Sequence, residues 1–334
     1  MILAGDAGGT NLRLALFARE GGSFTTLDEK RMPSRSVSGI VEAARAFLNG
    51  RHVETAGFGI AGPVIRGRSQ ATNLPWIVDA AELSRELSIP HVVLVNDLAA
   101  NGWGLSALPE SAFHVINAGV EDPEGNGALI SAGTGLGEAV LVREGAGFRP
   151  LPSEGGHTSF APRNDHEIEL LRALLARHGH VSYERILSGP GLGTLYRFER
   201  ERSAKPEPAW LTEEIRAAGD PAPVVSKAAL EERDDVCQAT LHRFVRIYAA
   251  EAGNLALKAL ATGGLFVGGG IAPKILPILT ESFFTAFCDK GRFAQLLSRI
   301  PVKVVKDERC ALLGAALASM VPGVSRSPRT PQEG

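Results

Sequence analysis

Cysteine is scarce in this chain of 334 residues: Cys237, Cys288 and Cys310 are odd in number, lie far apart, and form neither a C-x-x-C pair nor a Cys/His cluster. That pattern excludes a disulfide framework and a cysteine zinc site, and it suits a reduced, cytoplasmic protein with structural thiols. Charge of one sign is missing too. The 35 basic and 37 acidic residues leave a formal charge of −2 and no basic stripe, which argues against a nucleic-acid partner or an anionic membrane surface. Any phosphate held by the chain must therefore be gripped locally. No stretch approaches the ~20 apolar residues of a membrane span. The start, Met1-Ile-Leu-Ala-Gly-Asp6, lacks the charged region and long apolar segment of a signal peptide.

What is present suits about two domains, and a chain of this length buries roughly three quarters of its unfolded surface without a metal or disulfide staple. The segment 322–334 is polar and rich in Pro, Ser and Arg, and reads as a disordered tail. Residues Ile2 to Gly5 read as a strand, Asp6 to Asn11 as a tight Gly-rich turn, and Leu12 to Phe17 as a second strand. A turn that enters a helix after G-x-G-x-x-G, or that ends in Gly-Lys-Ser/Thr, would announce a nucleotide fingerprint; this one joins two strands and matches neither. It can still bind phosphate. Gly8 and Gly9 let backbone N–H groups point into a concavity, the Thr10 hydroxyl adds a donor, and Asp6 at the edge suits a water of Mg²⁺.

A third strand (Phe24 to Arg31), a helix (Val37 to Leu48), a strand (Thr55 to Ile60), a hairpin through Arg66-Gly67, a helix capped by Asp79 and a strand over Val92 to Val95 follow. That last apolar run stops at Asn96-Asp97, where it leaves the sheet. Ligands of open α/β sheets bind at the carboxyl ends of strands, so Asp97 is a candidate reacting base. On this stretch alone the blander role, capping a helix from Leu98 to Leu105, is the favoured reading.

The pattern restarts near Gly127: a strand (Ala128 to Ser131), a Gly-rich turn (Ala132 to Gly137) and a strand (Glu138 to Arg143). Ala7-Gly-Gly-Thr10 and its following strand align with Ala132-Gly-Thr-Gly135 and its own, and two such hairpins are far less expected by chance than one. Beyond lie Ser153-Glu-Gly-Gly-His157, a helix from Asp165 to His178 with Ile168, Leu171, Leu174 and Leu175 on its buried face, and a helical stretch from Val224 to Leu260 broken near Gly253. A strand then runs into Gly268-Gly-Gly270, where a flat adenine or ribose can lie on the backbone. A late strand (Pro301 to Val305) and a terminal helix (Arg309 to Met320) close the chain.

One hairpin per half resembles the actin-like ATPase and sugar-kinase superfamily, which implies an α/β fold of two ribonuclease-H-like domains with a cleft between them. The expected division is 1–107 with about 305–321 as a small domain, and 108–304 as a large one. Eight segments in order sharpen the resemblance. They are Gly5 to Leu16, Gly59-Ile-Ala-Gly-Pro63, Thr72-Asn-Leu-Pro-Trp76, Leu94-Val-Asn-Asp97, Gly133-Thr-Gly-Leu-Gly137, Ser153 to His157, Tyr183 to Gly191 and Val267 to Lys274. Together they resemble the bacterial glucokinases, hexokinase-type enzymes that phosphorylate glucose on O6.

The resemblance implies that Asp97 is the base on the sugar O6 hydroxyl, with Asn96, Glu154, His157 and Glu184 as further sugar ligands. It implies that Asp6, Gly8, Gly9, Thr10 and Asn11, with Gly133, Thr134 and Gly135, form two phosphate loops, and that Gly268, Gly269 and Gly270 form the adenosine segment. ATP and Mg²⁺ are the implied cofactors, glucose the implied substrate and a homodimer the implied assembly. Chemistry agrees: carboxylates, an amide and an imidazole offer the several acceptors that a ring of vicinal hydroxyls needs. Two departures stand out. Ala7 replaces the usual Ile or Val, and Glu138 replaces an apolar residue just beyond the second phosphate loop, where it is expected to retune nucleotide binding. The zinc-binding Cys cluster of the related ROK proteins is missing, so no structural zinc is expected. A sugar-responsive regulator would need a DNA-binding module, for which there is no room before the first hairpin. A filament-forming ATPase has no use for the Asn-Asp and Glu-Gly-Gly-His groups.

Overall fold

The computed structural model describes residues 1–21, 23–71, 74–321 and 324. Thr72 and Asn73 of the Thr72–Trp76 segment, and nearly all of the tail from Pro322, lie outside the described residues. The chain forms two compact units: unit 1 holds Met1–Ala112, Glu144–Pro152 and the segment from Asp307, and unit 2 holds Phe113–Arg143 and Ser153–Lys306.

Unit 1 opens with the meander β1 (Ile2–Ala7), β2 (Asn11–Glu20) and β3 (Ser23–Pro33), then α1 (Ile40–Leu48) and β4 (Thr55–Ile60). A small three-stranded sheet follows: β5 (Val64–Ile65), β6 (Arg68–Gln70) and β7 (Ile77–Asp79). Arg66 and Gly67 join its first two strands, both with positive φ (51° and 74°), as a two-residue hairpin turn requires. The Asp79 carboxylate caps α2 (Ala80–Leu87), accepting from the N–H groups of Ala81 and Glu82 at 2.8 and 3.2 Å. Then come β8 (His91–Asn96) and α3 (Asp97–Gly104). The main sheet runs β3-β2-β1-β4-β8, with β1, β4 and β8 parallel. Ala7 pairs with Ile60 and Ile60 with Asn96, so three strands end level at one carboxyl edge. Leu3, Leu14, Phe58 and Leu94 fill the core beneath them.

Unit 2 repeats the plan. After β9 (Phe113–Asn117), β10 (Gly127–Ala132) turns into the antiparallel β11 (Leu136–Glu144); β12 (Gly147–Pro152) lies in the segment assigned to unit 1. Helices α4 (Asp165–His178), α5 (Gly189–Arg202), α6 (Ala209–Ala218), α7 (Pro221–Leu230) and α8 (Asp235–Ala259) lead to β13 (Gly264–Gly268), then α9 (Leu276–Cys288), α10 (Ala294–Ser298) and β14 (Val302–Val305). The strands of unit 2 lie in the order β11-β10-β13-β14-β9. As β1 is flanked by its hairpin partner β2 and the parallel β4, so β10 is flanked by β11 and the parallel β13. Tyr248, Phe244, Phe283 and Phe287 centre this core.

Two local expectations change. On α4 the buried residues are Glu167, Leu170 and Leu174, while Leu175 is 43% exposed; Glu167 is buried with its carboxylate paired to Arg163 at 2.6 Å. The helical stretch breaks not at Gly253 but at Glu231–Asp234, where Glu232 takes a φ of 55° and Asp234 caps α8 through the Cys237 N–H at 2.8 Å. Gly253 stays helical, since a Cβ there would lie 2.7 Å from the Phe287 carbonyl oxygen of the crossing α9.

The last helix, α11 (Cys310–Ala318), returns to unit 1. A Cβ on Gly314 would fall 1.7 Å from the Ala100 oxygen, and one on Gly104 would fall 2.0 Å from the Cys310 oxygen. Glycine on both helices thus lets α11 lie backbone to backbone against α3, the helix that Asp97 begins.

Candidate active site

At the carboxyl edge of unit 1, Asn96 rather than Asp97 is the cap of α3. Its side-chain oxygen accepts from the N–H groups of Leu98 and Ala99 at 3.0 and 3.2 Å, and its amide donates to the Gly62 oxygen at 3.3 Å. Asn96 is the last residue with extended backbone, which is where a cap must sit, and Asp97 has already entered the helix. The half-buried Asp97 carboxylate accepts from the Leu98 N–H at 2.9 Å, and the Asn101 amide holds the Asp97 carbonyl at 3.0 Å. A carboxylate in the first turn also gains from the helix dipole.

The first Gly-rich turn emerges from the same sheet edge. The Gly8 N–H donates to the Asn11 oxygen at 3.0 Å; Ser34, fully buried, donates its hydroxyl to the Gly8 oxygen at 2.7 Å and its N–H to the Thr10 oxygen at 2.9 Å. Nothing in its sequence surroundings marks Ser34, which reaches the turn because β3 pairs with β2 through Pro33 and Asn11. Asp6 pairs across the hairpin with Arg13, whose guanidinium also holds Glu29 at 2.8 Å. Burial pushes the Asp6 carboxyl above its ordinary value, against the pull of Arg13 and Arg31.

In unit 2 the second Gly-rich turn is closed by the Gly133 N–H on the Gly135 oxygen at 2.8 Å, and the Gly189 N–H at the start of α5 holds the Gly133 oxygen at 2.8 Å. The fully buried Tyr248 hydroxyl accepts from the Ala132 N–H at 3.1 Å and donates to the Ile130 oxygen at 3.2 Å. Gly269 has a φ of 84° and no room for a Cβ, which would meet the Ala132 oxygen at 2.2 Å. The turn and the triple glycine are thereby knitted together at Ala132. At Gly133 and Gly270, by contrast, a Cβ would meet nothing within 4 Å. Open space over bare backbone is what close approach by a nucleotide requires.

The unit 2 candidates for sugar binding are brought together. His157 stands between two carboxylates, with Nε2 3.9 Å from Glu154 and Nδ1 3.9 Å from Glu184. The other oxygen of Glu184 accepts from the Leu136 N–H at 2.9 Å, and it occupies the place where a Cβ of Gly135 would be, at 2.5 Å. Glu184 therefore touches both the imidazole and the second Gly-rich turn.

The Glu138 side chain is buried against Gly155, and burial pushes its carboxyl up to about 7, helped by the charge of Glu251 and opposed by Lys258. Glu251, itself fully buried on α8, is held by the Asn254 amide at 2.7 Å and by Lys258 at 3.4 Å. Among the described residues no cluster of three or more His, Cys, Asp or Glu is arranged to hold a metal ion, and no helix is long and apolar enough to cross a membrane.

Two ribonuclease-H-like halves, each ending a β-hairpin in a Gly-rich turn, mark a kinase of the actin-like ATPase fold. The profile of the glucokinase family matches residues 3–321. A glucokinase of Nostoc punctiforme is 40% identical over 96% of this chain and 98% of its own. The solved glucokinase of an Antarctic psychrotroph is 34% identical, covers 95% of this chain and 98% of its own, and superposes with a TM-score of 0.79. A ROK-family glucokinase from Streptomyces griseus, solved with glucose and AMPPNP, shares the fold at 24% identity and a TM-score of 0.63, over 94% of this chain and 97% of its own. The chain belongs to the glucokinase family, and is a phosphotransferase.

Proposed function

We propose that the protein transfers the γ-phosphoryl group of ATP to O6 of D-glucose, with Asp97 as the general base. The register that ends β1, β4 and β8 level carries this reading, because it puts Asp6, the Gly8–Thr10 turn and Asp97 at one sheet edge. Phosphoryl transfer passes through a loose transition state, so a carboxylate with an ordinary affinity for protons suffices, provided it is held in place. Asp97 is held by its helix start and by Asn101. Asn96, Glu154, His157 and Glu184 bind and orient the sugar; Asn96 does so while capping α3.

The two Gly-rich turns and Gly268–Gly270 take the nucleotide, and the open backbone at Gly133 and Gly270 fits that role. Asp6 suits a water-mediated contact to Mg²⁺, since that ion keeps most of its waters and is held by one or two carboxylates plus phosphates. When bound, the metal neutralises charge on the phosphates. The AMPPNP and glucose held by the Streptomyces griseus relative support the same choice of donor and acceptor. A homodimer is expected, to be read by size exclusion with light scattering, and a cytoplasmic location agrees with three unpaired thiols. The test is a coupled assay crossing glucose, mannose and glucosamine with ATP, ADP and polyphosphate. Glucose with ATP should turn over fastest. No turnover of glucose with any donor would overturn the proposal.

A further inference from the structure

Resting on the reading of Glu154 and His157 as hexose ligands, we propose that Glu138 is a positioning residue for hexose binding, the floor on which the Ser153–His157 segment is set. Its side chain lies flat against Gly155: a Cβ built there would fall 2.4 Å from Oε2, 2.9 Å from Cβ and 3.0 Å from Cδ of Glu138. Its backbone holds the same segment. The Glu138 carbonyl accepts the Ser153 hydroxyl at 2.7 Å, and that hydroxyl accepts from the Gly155 N–H at 3.2 Å. Glu154 and His157 flank the residue so fixed.

The side chain is 2% exposed and its Oε1 has no hydrogen-bond partner. An unpaired polar atom is costly in a buried place, and a position that needed only volume would be filled as well by Met or Leu without that cost. Neither Gly133 nor Gly135 of the second Gly-rich turn faces the Glu138 side chain. A Cβ at Gly133 meets nothing within 4 Å, and one at Gly135 meets Glu184 rather than Glu138.

The experiment measures the KM for glucose and the KM for ATP separately, in the wild type and in Glu138→Ala, Glu138→Gln, Gly155→Ala and the Glu138→Ala/Gly155→Ala double variant. Glu138→Ala should raise the glucose KM about tenfold and leave the ATP KM within about twofold, while the isosteric Gln holds the glucose KM within about threefold of wild type. Gly155→Ala alone should raise the glucose KM through its clash with Glu138. In the double variant the added methyl finds the space vacated by the carboxylate, so the two effects should be far from additive. If Glu138→Ala does not accumulate as folded protein, Gly155→Ala still decides. A raised ATP KM with an unchanged glucose KM, or an unchanged glucose KM throughout, would overturn the positioning role. Wild-type glucose turnover is the control: its loss would overturn the hexose reading itself, whereas normal turnover with unmoved KM values sinks only the role of Glu138.

Discussion

Replacing Glu138 by Gln should flatten the dependence of unit 2 stability on pH. Burial, with the Glu251 charge behind it, raises the Glu138 carboxyl from an ordinary 4.5 to about 7. Between these values the folded chain keeps a proton that the unfolded chain has released, so the folded state binds more protons and each rise in pH favours unfolding. The stability is fully present below pH 4.5 and is lost as pH rises to 7. A shift of that size corresponds to about 3 kcal/mol in all, of which roughly 2–3 kcal/mol falls between pH 5 and pH 8. Glutamine keeps the shape and cannot ionise. The assay is urea unfolding at pH 5 and pH 8, followed through Trp210 of α6 in parent and variant proteins whose other two tryptophans, Trp76 and Trp103, are replaced by Phe. The variant should match its parent at pH 5 to within about 1 kcal/mol and exceed it by about 2–3 kcal/mol at pH 8. Parallel stability curves would refute the buried-carboxyl reasoning.

Two further outcomes follow from single contacts. Gly135→Ala places a methyl 2.5 Å from the Glu184 carboxylate, which must release the Leu136 N–H. Steady-state kinetics should show both the glucose and the ATP KM raised, with kcat/KM for glucose down about tenfold or more. Ser34→Ala removes the buried hydroxyl that holds the Gly8 carbonyl at 2.7 Å. It should cost about 1 kcal/mol in urea unfolding and raise the ATP KM while sparing that for glucose.

Most of the strands, though not β7, β9 or β12, together with both hairpins and the Asn96–Asp97 ending were legible in sequence because period-two apolar runs and glycines record local backbone demands directly. The family follows from the same segments, since glycine positions and polar pairs recur in one order along the chain. What the sequence hides is direction. Glu138 follows Gly137 and so looks like part of the second Gly-rich turn, yet its side chain packs against Gly155, further along the chain in a segment no local pattern pairs with it. Similarly, Asn96 and Asp97 are both good caps; the choice falls on whichever residue keeps extended backbone, which depends on where β4 stops pairing with β8. Ser34 and Tyr248 brace the two turns from distant segments, a role no local pattern announces. Gly253 looked like a break because glycine is a poor helix former, but close crossing by α9 needs it there.

The central claim is that Asp97 takes the O6 proton of glucose. Its most direct measurement is single-turnover formation of glucose 6-phosphate by wild type and Asp97→Ala, with glucose binding followed in parallel by calorimetry. The expected result is a rate lower by on the order of 10²–10⁴ with the fold and most of the glucose affinity kept. Near wild-type turnover in Asp97→Ala would contradict it.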